Sequence, residues 1–269
     1  MLPGLGLYSG VPDGWTQPAA AEPDDAMNIR RRTRGLRMRT SVSAASISGA
    51  LRRHRVVHML HIGKTGGTAL KRALRHCPAP DSLQLMLHGH VVPLSAIPLR
   101  DEVFFFLRDP LSRYVSGFNS RRREGRPSNQ RPWTPGERRA FERFSTPDEL
   151  ARALSSEDAR VSTAARHAMT RIGHVRYPLS RWLGNAELLR KHRDRIVLVG
   201  WVDTLESDFE RLKDTLDLPA SCRLPDSDDA AHRAPSTGST GLSDEAVANL
   251  RQWYRADYDL IEACRMLRA

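Results

Sequence analysis

The stretch Val56-Val57-His58-Met59-Leu60-His61-Ile62-Gly63-Lys64-Thr65-Gly66-Gly67-Thr68 constrains the fold of this chain most tightly. Strand-forming residues run up to Gly63, and the helix-forming sequence Ala69-Leu70-Lys71-Arg72-Ala73-Leu74-Arg75 begins just after Thr68. A strand that turns through glycines directly into a helix gathers backbone N–H groups around one point, a geometry suited to holding an anion. Gly66 and Gly67 let the backbone come close to it, and Lys64 adds a full positive charge. The segment reads as a phosphate cradle built from Gly63, Lys64, Thr65, Gly66, Gly67 and Thr68.

Gly63-Lys64-Thr65 matches the tail of the nucleoside-triphosphate loop G-x-x-x-x-G-K-[ST], but the spacing fails. That motif needs a glycine where this chain has His58, and the additional glycines here follow the lysine. A second phosphate-type signal comes about forty residues later, in Val103-Phe104-Phe105-Phe106-Leu107-Arg108-Asp109-Pro110-Leu111-Ser112-Arg113-Tyr114-Val115-Ser116-Gly117-Phe118. It reads as a buried aromatic strand delivering Arg108 at its end, then a helix with Asp109 as N-cap and Pro110 at its first position. Arg113 and Ser116 would share one face of that helix.

Between the two lies Leu85-Met86-Leu87-His88-Gly89-His90-Val91. Two histidines flanking a glycine at strand spacing would project to the same side. An imidazole titrates near neutrality and can remove a proton from an attacking hydroxyl.

The order H-I-G-K-T-G-G-T, His-Gly-His, then R-D-P-x-x-R-x-x-S resembles the sulfotransferases that use 3′-phosphoadenosine 5′-phosphosulfate (PAPS), notably the carbohydrate branch that includes heparan sulfate 2-O-sulfotransferase. The resemblance spans roughly residues 55–217 and implies a co-substrate, PAPS, with the 5′ end on Gly63–Thr68 and the 3′-phosphate on Arg108 and Ser116. It implies that His90 is the base, with Lys64 at the departing phosphate oxygen and His88 as a second catalytic candidate. The acceptor would be a hydroxyl on a glycan or small glycosylated molecule. Arg233 and Ser236 are candidates for a basic, hydroxyl-rich loop over the nucleotide, with a plain linker as the equal alternative. No metal is needed in this scheme.

Strand and helix signals alternate: strand 56–62, helix from about 66, strand 83–87, strand 102–108, helix 110–122 and a last strand 196–200 before the helix of Leu205, Phe209, Leu212 and Leu216. The alternation predicts an α/β fold, a single P-loop-like domain with a parallel sheet flanked by helices. Ligands in such folds collect beyond the carboxyl ends of strands, where Lys64, His90 and Arg108 all fall. Residues 137–192 read as helical with Trp182 and Leu183 as anchors, and a final helix opens at Leu242–Glu245 and reaches Tyr258. Arginine-rich, proline-broken residues 121–133 read as a solvated loop, or as one wall of an acceptor groove.

Residues 1–50 carry no sustained periodicity and are expected to be a disordered basic leader, with Met27 as an alternative start, ahead of a sulfotransferase domain over 51–269. The formal charge of +11 points to anionic partners. Only four residues are lysines, so Lys64 stands out in a chain that otherwise relies on arginine. Cys77, Cys222 and Cys264 show neither a disulfide framework nor metal-ligand spacing, and no apolar run is long enough to span a membrane. The expected location is cytoplasmic.

Two rival readings lead to different chemistry. A P-loop kinase-like phosphotransferase would need magnesium and an acidic residue ending an apolar strand, which is not evident in the sequence. A non-catalytic polyanion-binding module would explain the arginines but not His88-Gly89-His90 or the paired phosphate motifs. Nucleic acid is therefore not the expected partner.

Overall fold

The computed structural model describes residues 54–127, 130–225 and 241–267. The expected leader, Arg233, Ser236 and nearly all of the 226–241 loop lie outside the described residues.

Four parallel strands form one sheet: β1 (Arg55–Leu60), β2 (Leu83–Leu87), β3 (Glu102–Leu107) and β4 (Ile196–Trp201), in the order β2-β1-β3-β4. Helix α1 (Gly67–Arg75) connects β1 to β2, and α2 (Pro110–Arg122) leaves β3. Because the chain crosses from β1 to β2 on one side while β3 and β4 extend the other, the topology reverses between β1 and β3. Crevices at such reversals are where α/β sheets bind ligands.

The period of two along β3 explains the layering. Val103, Phe105 and Leu107 join Leu60, Ile62, Trp182, Leu183, Leu260 and Ile261 on one face. Phe104 and Phe106 turn to the other, against Leu70 and Leu74 of α1 and Phe209, Leu212 and Leu216 of α8 (Leu205–Leu216). A sheet buried on both sides needs near-continuous apolar strands, as observed. A third apolar cluster packs Leu111, Tyr114 and Phe118 of α2 against the helices that follow.

The region expected to be helical over 137–192 is five short helices: α3 (Pro135–Arg143), α4 (Pro147–Arg152), α5 (Ala159–Arg171), α6 (Ser180–Leu183) and α7 (Ala186–Lys191). Several start at a polar cap, with Thr134, Thr146, Asp158 and Asn185 accepting from the first turn. The final helix is two, α9 (Asp244–Trp253) and α10 (Arg255–Met266), broken at Tyr254. Tyr254 is buried and its hydroxyl donates to the Val175 carbonyl at 3.1 Å, which fixes the corner.

β1 ends at Leu60 and β3 at Leu107, two residues and one residue before the sequence suggests. The last β1–β3 pair is Leu60 with Phe105, so His61 onward is released from the ladder to form the loop. All three cysteines are free, but Cys77 and Cys222, distant in sequence, meet in the cluster beneath α1. Burial and a hydrogen bond with Cys77 push the Cys222 thiol up to about 12.

Candidate active site

The loop after β1 turns sharply at two left-handed residues, Lys64 (φ 69°) and Gly66 (φ 76°). Gly66 caps α1, and Gly67 opens the helix directly over the buried His61 ring, which a Cβ at position 67 would strike. Thr65 turns inward, its Oγ1 donating to the Ile62 carbonyl at 3.0 Å, so this hydroxyl closes the loop. Thr68 is exposed in the first turn. The amides that begin α1 and Lys64 therefore belong to one short turn.

Lys64 is half-buried, and its pKa is lowered to about 8, first by burial and then by the positive charges of Arg108 and Arg123. No carboxylate bonds to it among the described residues. Arg108, released at the end of β3, has a buried Nε with no hydrogen-bond partner. Burial also lowers the pKa of Arg108, with Asp203 and Asp109 opposing. Cations gathered with little compensation, one of them with an orphaned donor, form a site suited to an anion of high charge.

Asp109 caps α2 as the sequence predicts, Oδ1 accepting from the Ser112 amide at 2.9 Å, and its Oδ2 accepts from the Tyr258 hydroxyl at 3.1 Å. Arg113 turns away from the opening. It is 2% exposed and bonds Asp257 of α10 at 3.0 Å and the Tyr177 carbonyl at 2.8 Å. Ser116, half-exposed on α2, has no hydrogen-bond partner among the described residues. Among the described residues no hydrogen bond joins its hydroxyl to Arg108.

β2 ends at Leu87, so the strand alternation expected of His88 and His90 does not apply and the two rings take different surroundings. His88 is buried, its Nε2 2.7 Å from His58 Nδ1, while His58 Nε2 lies 3.0 Å from Asp101 Oδ2. Burial, with the neighbouring His58 and Lys71, lowers the His88 pKa to about 4. Lys71 of α1 donates to the His88 carbonyl at 3.0 Å.

His90 lies beside the loop. Its Nδ1 is 3.0 Å from the His61 carbonyl oxygen, an atom that only accepts, so Nδ1 carries the proton and Nε2 keeps its lone pair. Its ring is tilted against His61 with centroids 3.8 Å apart, and Trp182 Nε1 donates to the His90 carbonyl at 2.8 Å. The residue keeps an exposed edge, yet the protein packed around the ring is the largest influence on its titration. That burial lowers the pKa, the His61 carbonyl opposes it, and Lys71, Lys64 and Arg181 lower it further. His90 is thus a neutral imidazole with one fixed tautomer and an available lone pair.

Several residues around this opening carry no signal in the sequence. His61 is buried under the loop, its pKa lowered to about 2 by burial first and by the charges of His90 and Lys71 among others. His174, between α5 and α6, reaches Gly63 and His90 from more than eighty residues away. Arg123 comes within electrostatic reach of Lys64 from the end of α2. Asp203, two residues beyond the apolar strand β4, acts on Arg108, although the strand itself ends at Trp201 and not at an acidic residue. In the 121–133 segment, Arg121 folds inward to Glu137 at 2.6 and 2.9 Å, and Trp133 Nε1 donates to the Arg121 carbonyl at 2.8 Å. Among the described residues, no group of three or more His, Cys, Asp or Glu side chains is placed to hold a metal ion. No helix among them is long and apolar enough to cross a membrane.

An α/β sheet with a glycine-rich loop, clustered cations and a histidine at its topological reversal is an arrangement suited to holding an anion. The family model described as the sulfotransferase family matches residues 100–262, more than half of the chain, and the chain belongs to that family. The matched span carries Arg108, Ser116 and His174 and begins after the glycine loop and His88-Gly89-His90. No curated protein and no solved structure gives a significant match.

Proposed function

We propose that this sulfotransferase moves the sulfuryl group of PAPS to a hydroxyl of a carbohydrate. The observation that carries the reading is that Lys64, in the turn that leads into α1, lies within electrostatic reach of Arg108, while His90 has its Nδ1 engaged by the carbonyl of His61 in the same loop.

These residues fit a nucleotide bearing phosphate and phosphosulfate groups. The amides from Gly66 to Thr68 and the Lys64 ammonium would take the 5′ end, while the Arg108 guanidinium would take the 3′-phosphate, with Ser116 as a further hydroxyl. His90 Nε2 accepts the proton of the acceptor hydroxyl as its oxygen bonds to sulfur. The bond between sulfur and the bridging phosphate oxygen breaks, and the electron pair stays on that oxygen, where the Lys64 charge meets it. Because the donors stand in place before reaction, no reorganisation is needed as charge moves.

Transfer of label from radiolabelled-sulfate PAPS to a panel of glycans, glycosylated small molecules and tyrosine peptides tests donor and acceptor together. Expected is label on a carbohydrate, and a higher Tm with 3′-phosphoadenosine 5′-phosphate than with magnesium ATP. Equal stabilisation by both nucleotides would remove Arg108 and Ser116 as readers of a 3′-phosphate.

A further inference from the structure

We propose that His174 is a second imidazole of the transfer centre, donating a hydrogen bond from its uncharged ring to an oxygen of the sulfuryl group. The inference rests on the sulfuryl-transfer reading above and adds a residue to it.

His174 holds a left-handed backbone conformation, φ 67°, which costs a residue with a Cβ on the order of 1–2 kcal/mol. Its neighbours keep it there. Ile172 and Val175 are buried, the Gly173 amide donates to Glu137 Oε1 at 3.0 Å, and the Val175 carbonyl accepts from Tyr254. A strained backbone fixed on both sides is a common means of aiming a side chain at a site.

Two glycines leave the space it fills. A Cβ at Gly63, in the loop, would lie 3.2 Å from His174 Nδ1, and a Cβ at Gly117 of α2 would lie 3.2 Å from His174 Cβ. Both phosphate-type motifs of the sequence therefore give up a side chain where this histidine passes between them. Its ring meets His90 edge-on, with centroids 5.8 Å apart and planes at 68°. Neither ring nitrogen has a hydrogen-bond partner among the described residues. A half-buried imidazole beside the proposed base and within electrostatic reach of the proposed leaving-group lysine is left with an unused donor, and the migrating group has oxygens to receive it.

The ring acts as a donor rather than a second base. Burial first, and then the charges of Lys64, His90, Arg121 and Arg113, lower its pKa to about 3, so it is neutral at any working pH and a weak proton acceptor. A neutral imidazole carries one N–H, so a donor is present on this ring throughout that range. His90 differs in having its Nδ1 proton engaged by a carbonyl, which supports proton uptake at Nε2.

The test compares His174→Phe, which keeps a ring but has no N–H, with His174→Asn, which keeps a donor on a residue tolerant of left-handed backbone. Single-turnover transfer is measured alongside dissociation constants for PAPS and for 3′-phosphoadenosine 5′-phosphate, which lacks the sulfuryl group. Expected for His174→Phe is a loss of transfer rate of about 10–10³-fold, weaker binding of PAPS and unchanged binding of the desulfated nucleotide, with partial recovery in His174→Asn. If His174→Phe does not fold, His174→Asn against His174→Ala carries the same comparison. Equal losses for both nucleotides, or a donor-free variant that transfers at the wild-type rate, would overturn the inference while leaving the function intact. Wild-type protein that neither binds PAPS nor transfers from it would overturn the functional reading, and this inference with it.

Discussion

His88 donates its Nε2 proton to His58 Nδ1 across 2.7 Å. The direction follows from the far end of the chain: Asp101 Oδ2, 3.0 Å from His58 Nε2, is an acceptor, so Nε2 bears the His58 proton and Nδ1 must accept. The row Asp101–His58–His88 satisfies three polar groups buried at the edge of the sheet core. Asp101→Ala should leave the His58 donor buried and unmet, costing about 1–3 kcal/mol. Thermal unfolding should show it as a Tm lower by roughly 3–10 °C, with nucleotide affinity unchanged. An unshifted Tm would show that the row does not support the fold.

His90 and Lys64 should separate in kinetics. A base engaged only as the hydroxyl proton leaves affects the transition state, so His90→Ala should lower turnover by about 10²–10⁴-fold with nucleotide affinity nearly intact. Lys64→Ala should damage both. Lys64 also predicts a pH effect, because its pKa in the free protein is about 8 and a bound anion raises it. Affinity should therefore fall as pH rises above about 8, and binding near that pH should take up a proton. Titration calorimetry in two buffers of different ionisation heat would detect the uptake, and a flat affinity from pH 7 to 9.5 would contradict it.

Acid should destabilise the protein before its carboxylates titrate. The His61, His88 and His174 values of about 2, 4 and 3 lie below the ordinary 6.5, so the unfolded chain binds protons that the folded chain excludes. The sign follows: the stability of these neutral rings is complete above about pH 6.5 and is lost as pH falls toward 4. Each buried ring removes roughly 1.4 kcal/mol per pH unit in that window, and the half-exposed His174 less. Denaturant midpoints between pH 7 and 4.5 check this, and His61→Gln should flatten the slope.

The two arginines of the R-D-P-x-x-R segment should part company. Arg113→Met leaves Asp257 buried without its partner and should cost about 3–5 kcal/mol of stability. Arg108→Met removes a cation with an unpaired Nε and should leave stability equal or improved while weakening nucleotide binding. Parallel chemical denaturation and calorimetry would distinguish them, and an Arg108→Met protein that binds the nucleotide normally would remove this residue from the site.

The parallel sheet was legible because its signals are local. Val103–Leu107 is apolar at every position, which suits a strand buried on both faces, and Asp109-Pro110 carries its own cap and helix start. The helical stretch 137–192 was less legible, since its breaks depend on Pro147, Pro178 and Gly184 acting in packed surroundings. Arg113 and Ser116 show the same limit, because three-residue spacing places them near one another but does not say which turns inward.

Sequence by itself determined the order of strands and helices, the glycine turn after β1 and the presence of Lys64, Arg108 and His90 beyond strand ends. These follow from near-neighbour backbone preferences and from the period of each element, which act within a few residues. Only the tertiary structure decided that His88 bonds inward to His58, that Arg113 pairs with Asp257, and that Arg123 and His174 return to the loop around Lys64. Those outcomes depend on desolvation and on contacts between segments tens of residues or more apart, and they exist only once the sheet has closed over its helices.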